Sequence, residues 1–258
     1  MRNVKYLFFT IYFLLIVNQM KAQEYICGKT QADQIIIKDL IGGIRIEGSE
    51  ESELIIKVVN FDESTSIKAL DYKRKKNNTN IGLQVVIKND IIEIVGASEE
   101  SENTWYLFKV PNNMKLKINY DHPFTRDKIE VKDFNKKIEI SSLNHELVLS
   151  NVSGPLLLTA VNGGIKVDFK NLNQNTESKI VAVNNNLEIH LPDDTPANLI
   201  MESKNGRIYT NFDIDFNEKG KDDLRFIGGA EHIYKELNNG GSKLRLEAVN
   251  GNIYLRSK

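Results

Sequence analysis

Residues 135–170 read NKKIEISSL, NHELVLSNV, SGPLLLTAV and NGGIKVDFK when cut into nines. The fourth and sixth places are always aliphatic: Ile138 and Ile140, Leu147 and Leu149, Leu156 and Leu158, Ile165 and Val167. Asn135, Asn144, Ser153 and Asn162 lead the copies, and Leu143, Val152 and Val161 close the first three. The preceding RDKIEVKDF keeps the frame with Ile129, Val131 and Phe134. Alternation at period two marks a strand with one buried face. Its recurrence at short, fixed intervals predicts strands stacked on one another.

A longer period runs beyond this stretch. AVNGGIKV at 160–167 returns as AVNNNLEI at 182–189, SKNGRIYT at 203–210 and AVNGNIYL at 248–255. The shared asparagines, Asn162, Asn184, Asn205 and Asn250, are separated by 22, 21 and 45 residues, the last close to two steps with Gly228 and Gly229 near the missing slot. The pattern predicts one coil every 18–22 residues or so, with Asn-Gly at a corner where left-handed backbone angles are tolerated. A series of ordinary hairpins in an antiparallel sandwich is the competing arrangement, because Asn-Gly is also a hairpin signal. Asn144 and Asn162 read as solvated turn residues in preference to a stacked amide ladder. The expected fold is all-β, a single-stranded β-solenoid resembling a parallel β-helix. Its N-terminal part, 35–120, is less regular and contains hairpins, and repeat-rich coils occupy 126–258.

In that N-terminal part, 35–48 alternates about Gly42-Gly43, and 54–61 (LIIKVVNF) is a further strand. Residues 64–72 admit a short helix. Hairpins are expected across Asn89-Asp90 and about Pro111-Asn112-Asn113.

The chain opens with Arg2 and Lys5, then an apolar run from Tyr6 to Val17, then Lys21-Ala22. This is the pattern of a secretory signal peptide cut after Ala22, and the run is short for a membrane span. One domain, 23–258, would remain, exported to the periplasm, the outer surface or the medium. Residues 1–22 contain Arg2, Lys5 and Lys21 and no acid, so beyond them 31 cations face 35 carboxylates, a net charge of −4. That balance lacks the concentrated basic face of a nucleic-acid binder, and after signal cleavage it implies no membrane contact. The single Cys27 excludes an internal disulfide. Ile26 and Glu24 stand where a lipid-anchor signal wants a small and an aliphatic residue, so Cys27 reads as a near-terminal, buried thiol, with a lipidated cysteine as the lesser alternative.

A segment Lys109-Val110-Pro111 enters alternating strands, then repeated Asn-Gly-x-Ile phrases ending in Asn250-Gly251-Asn252-Ile253-Tyr254-Leu255. These features resemble the bacterial putative-adhesin family from about Ile35 to the C-terminus, best from Lys109 onward. The resemblance implies an extracytoplasmic β-solenoid of unassigned function and supplies no catalytic residue.

The residues themselves point to no chemistry. His122, His145, His190 and His232 have no paired spacing for a metal. Asp213, Asp215 and Asn217 alternate like a calcium loop, but Glu218 occupies the place of its glycine. Asp193-Asp194 and Asp222-Asp223 are adjacent pairs that suit turns better than a catalytic groove. No catalytic, cofactor or metal residue is therefore assigned, and no cofactor is expected. The candidate binding surface is the basic run Lys73, Arg74, Lys75 and Lys76 with the aromatics Trp105, Tyr209 and Tyr254; Tyr106 is a further aromatic that would face outward. These readings point to a non-enzymatic binding or adhesion module of the cell envelope, with a protein or glycan partner. The alternatives are a periplasmic structural or sensing component with a dedicated protein partner, and a carbohydrate-active enzyme.

Overall fold

The computed structural model describes residues 23–38, 40, 42–61, 76–97, 101, 104–122, 127–213, 225–228 and 233–258. The expected signal peptide at 1–22, the helix at 64–72 and the basic residues Lys73, Arg74 and Lys75 lie outside them. The described chain is all-β. In order it forms β1 (Glu24–Cys27), β2 (Gln34–Lys38), β3 (Ile44–Ser49), β4 (Leu54–Phe61), β5 (Leu83–Lys88), β6 (Ile91–Gly96) and β7 (Thr104–Pro111). There follow β8 (Lys115–Tyr120), β9 (Lys128–Lys132), β10 (Ile138–Ser142), β11 (Glu146–Val152), β12 (Leu156–Ala160), β13 (Ile165–Phe169) and β14 (Ser178–Ala182). The last are β15 (Leu187–Leu191), β16 (Ala197–Ser203), β17 (Ile208–Thr210), β18 (Arg225–Gly228), β19 (Ile233–Leu237), β20 (Ser242–Ala248) and β21 (Ile253–Ser257).

Two large mixed sheets result, of 11 and 10 strands. From β8 to β17 consecutive strands alternate between them, and each strand of β8–β13 pairs in parallel with the strand two places on. Ile140 thus lies between Ile118 and Leu158 in one sheet, and Leu149 between Val131 and Val167 in the other. We call one strand from each sheet, joined at a corner, a rung. The fourth- and sixth-place aliphatics of 135–170 all point inward, none more than 2% exposed. A fully buried side chain of this kind is worth about 1.5–3 kcal/mol. One rung has nothing to bury its face against except its neighbours, so the columns stabilise the molecule only collectively.

Antiparallel strands close the ends: β4 and β1 outside β7, β5 outside β6, β19 outside β16 and β18 outside β17. The Asn89-Asp90 hairpin is present between β5 and β6, with both turn residues left-handed at φ 50° and 60°, the geometry that matches strand twist. The second expected hairpin is absent. Strands β7 and β8 belong to different sheets, and the Asn112 amide donates to Ser49 O at 2.8 Å, extending the ladder to β3 before the chain turns across. Neither Asn112 nor Asn113 is left-handed, so this turn lacks the backbone that folds a strand back on itself.

The order of rungs departs from the order of the sequence. The spatial succession runs β14–β20–β16 in one sheet and β15–β21–β17 in the other. The 45-residue gap therefore hides no missing slot: the rung of Asn250 lies between those of Asn184 and Asn205, and Gly228 pairs antiparallel with Ile208. Ion pairs cross this contact. Beside β14 and β15, Glu247 meets Lys179 at 3.2 Å, Arg245 meets Glu177 at 3.4 Å and Arg256 meets Glu188 at 3.6 Å. In register Arg245 itself lies beside Lys179 and Glu247 beside Val181, so these pairs reach diagonally between strands. The N-terminal end repeats the device, with β2 and β3 lying inside β6 and β7.

Candidate functional site

The corner joining β10 to β11, and its equivalents in the next four rungs, begins with a small residue: Ser142, Ala160, Ala182, Ala248 or Ser203, each at most 3% exposed. One aliphatic or lysine residue follows, then the asparagine. The asparagines form a continuous amide ladder. Asn162 Nδ2 donates to Asn144 Oδ1 at 2.7 Å, Asn184 to Asn162 at 2.9 Å, Asn250 to Asn184 at 2.7 Å, and Asn205 to Asn250 at 2.8 Å. This corrects the reading of Asn144 and Asn162 as turn residues merely facing solvent. Parallel stacking brings identical amides to the strand spacing of about 4.8 Å, where carboxamide can bridge to carboxamide.

The glycines of this corner also serve a purpose other than the one expected. No corner asparagine, nor Gly163, Gly206 or Gly251, has a positive φ. A Cβ on Gly163 would instead lie 1.9 Å from His145 O, and one on Gly251 2.0 Å from Asn185 O. They let one rung settle onto the backbone of the next. Gly164 differs: a Cβ there meets nothing closer than 3.6 Å, the Asn185 side chain. Its column holds Glu146 on one side and Asn186 and Asn252 on the other, so a single rung is bare. The result is a polar groove of about 770 Å³ lined by Leu143, Asn144, Glu146, Asn162, Gly163, Gly164 and Asn185. Repeat pattern alone concealed it, because Gly163 and Gly164 look alike in the sequence.

The sequence-derived binding residues do not converge. Tyr209 and Tyr254 come together on adjacent parallel strands, rings stacked at 5.3 Å and 10°, with the Arg256 guanidinium 5.8 Å from the Tyr254 centroid. Each ring thereby spends one face on the other. Trp105 lies on β7, six strand spacings from Tyr254, about 29 Å at the usual interval. Its ring lies over Gly43, where a Cβ would come within 2.4 Å of it. Lys76 is exposed. Tyr106 does not face outward: it is 1% exposed and its hydroxyl donates to Ile81 O at 2.7 Å.

His190 lies on the outer face, Nε2 2.8 Å from Glu188 Oε1. Partial burial pushes the Glu188 carboxyl up, but His190, Lys166 and Arg256 together hold it below the ordinary range. His145 is fully buried and meets the Tyr120 ring edge-on at 4.9 Å. Among the described residues no three His, Cys, Asp or Glu side chains gather as a metal site. Asp193 and Asp194 occupy a turn. Asp213 is described, but Asp215, Asn217, Asp222 and Asp223 lie outside the described residues. Cys27 is 3% exposed in β1 opposite Leu54, and burial pushes its thiol up.

Two mixed sheets thus meet at amide-laddered corners, and the polar groove lies at such a corner. No family model matches the chain, and no curated protein does. Among solved structures it is similar to a putative cell adhesion protein from Clostridium sporogenes, at 14% identity over 92% of this chain and 100% of that one, with a TM-score of 0.39. It is also similar to a putative adhesin from Bacteroides fragilis, at 9% identity over 93% and 98%, TM-score 0.29. A third is a putative lipid binding protein from Parabacteroides distasonis, at 9% identity over 92% and 97%, TM-score 0.30. Likenesses this distant carry neither a ligand nor a residue role to this chain.

Proposed function

We propose that residues 23–258 form an exported, single-stranded β-solenoid that binds another macromolecule of the bacterial cell envelope and catalyses no reaction. The observation that carries this reading is the parallel register, which holds outer side chains in fixed columns along two broad faces. On those faces acids and bases are mated across strands, as in Arg45–Glu130 at 2.7 Å and Lys128–Glu146 at 3.0 Å. A rigid, charge-balanced surface of this kind suits recognition of an extended partner. The signal-like pattern of residues 1–22 supports export. Glycan-array binding together with pull-down from envelope extracts tests the reading; the expected result is a specific partner in at least one assay, and two empty assays with folded protein overturn it.

A dedicated protein partner is the second reading, favoured by edge strand β5, where Val86 and Ile87 are 44% and 52% exposed. Asn78 and Thr79 already bond the outer edge at Leu83 and Val85, which leaves the stretch from Val86 onward to accept an added strand. Cross-linking through β5 in cells tests it, and recovery of free monomer alone counts against it.

A further inference from the structure

We infer that the corner groove at Gly164 is a binding site for a neutral oligosaccharide, a claim that rests on the macromolecule-binding reading and gives it a location. The groove exists because one rung omits a side chain that its neighbours carry. Glu146 and Asn186 flank Gly164 in the column, and Asn252 follows. Nothing in the fold demands that omission. Gly164 has no left-handed backbone, and a Cβ there makes only ordinary contact at 3.6 Å. The ladder beyond it, in which Asn186 Oδ1 accepts from the Asn252 backbone amide and Asn252 Oδ1 from that of Arg207, both at 2.9 Å, stops at this rung, where the Asn186 amide donates instead to Asn185 Oδ1 at 2.8 Å. The bare rung opens a groove of about 770 Å³, within the size range of small-molecule sites.

The lining selects the ligand. Asn162 spends one N–H on Asn144 and one lone pair on Asn184, which leaves its carboxamide a second donor and a second acceptor. Asn185 Nδ2 lies 3.5 Å from Asn162 O and adds a further donor at the groove wall. Glu146 accepts, with its charge offset by Lys128 at 3.0 Å. Half-buried Leu143 contributes an apolar patch. Closely spaced donors and acceptors around such a patch match the hydroxyls and C–H face of a sugar. The described lining residues include no Lys or Arg to hold an anionic one. An extended peptide is a poorer fit, because backbone groups here are already committed between rungs: Leu147 N donates to Gly164 O at 2.9 Å and Asn162 N to Leu143 O at 2.8 Å.

The test uses the whole chain and two panels, neutral tri- to hexasaccharides of hexoses and N-acetylhexosamines, and uronate oligosaccharides of the same lengths. Each is titrated at up to millimolar concentration against native protein, Gly164→Asn and Glu146→Gln. A neutral member should bind the native protein, and Gly164→Asn should weaken it by about tenfold or more, ~1.4 kcal/mol, while the thermal midpoint stays level. Glu146→Gln should weaken it with the fold intact. Equal binding by native protein and Gly164→Asn overturns the groove and leaves the broader binding reading standing. Binding only of uronates, or of no member of either panel, overturns the neutral-glycan assignment, and a protein captured by the same preparation would then redirect the broader reading to that partner.

Discussion

Two glycines side by side show how much a single residue decides. Gly163 and Gly164 are identical in composition and share one turn, yet a methyl group on the first strikes His145 O and on the second meets open contact. Gly163→Ala is expected to cost about 1–3 kcal/mol or more, the range for forced overpacking. Gly164→Ala should change stability by less than about 0.5 kcal/mol, as for ordinary surface changes. Urea unfolding of both variants checks this, and equal losses would refute the close-approach account. The same contrast holds at Leu158 and Thr159. Leu158 is fully buried between Ile140 and Ile180, whereas Thr159 is half-exposed on the outer face. Leu158→Asp should abolish cooperative folding, since it removes a side chain worth about 2–5 kcal/mol and buries an unpaired charge, while Thr159→Asp should melt close to the native protein. Inward and outward positions were legible in the sequence because period-two alternation is a direct record of burial. The reason for glycine was not, because close approach between rungs involves residues 18 or more apart, His145 and Gly163 among them.

Corners and ion-paired columns belong to the element. The sequence marks Asn-Gly as a change of direction, and it is one, but a hairpin turn and a corner use the same residue types. What separates them is backbone: Asn89 and Asp90 are both left-handed and return the chain antiparallel, whereas the ladder asparagines are not and pass it to the other sheet. Asn162 is bonded on both sides, so Asn162→Ala should lose two carboxamide bonds at about 0.5–1.5 kcal/mol each, more than Asn205→Ala at the ladder's end. Chemical denaturation of the two variants would show whether the ladder stabilises at all. On the opposite sheet Glu139 lies between Lys117, at 2.5 Å, and Lys137, at 3.5 Å. The hydrogen bond from Lys117, with the charge of Lys137, holds its carboxyl below the ordinary 4.5 although partial burial opposes this. A carboxylate depressed on folding stabilises fully above its unfolded value and ceases to do so as pH falls through its folded value. The thermal midpoint of Glu139→Gln should therefore lie below the native one at pH 7 and converge with it near pH 3. A constant offset across that range would mean that the amide disturbs packing and that the lost charge contributes nothing.

At the scale of the whole molecule, the sequence disclosed a stack but misordered it. Repeats that share a corner phrase are interchangeable by pattern, so succession along the chain is the natural assumption for their succession in space. The observed order goes with the path between β19 and β20. There Asn238 Nδ2 donates to Asp193 O and Thr195 O at 2.8 and 2.9 Å, and Asn198 Nδ2 to Gly241 O at 2.6 Å, fastening the crossing chain to the start of β16. The rung of β20 and β21 thereby carries the strand pairing of β16 and β17 to the rest of the described stack, to which Gln174 Nε2 adds a bond to Pro196 O at 3.0 Å. Leu246 sits at its centre, fully buried between Ile180 and Met201. Leu246→Asp places a charge there and should cut the molecule in two. Hydrogen exchange is expected to lose protection across 197–210 and 233–257 together, while 128–170 retains it. If 197–210 stays protected when 242–257 does not, β16 and β17 do not depend on the rung of β20 and β21, and that rung is not what holds them to the stack.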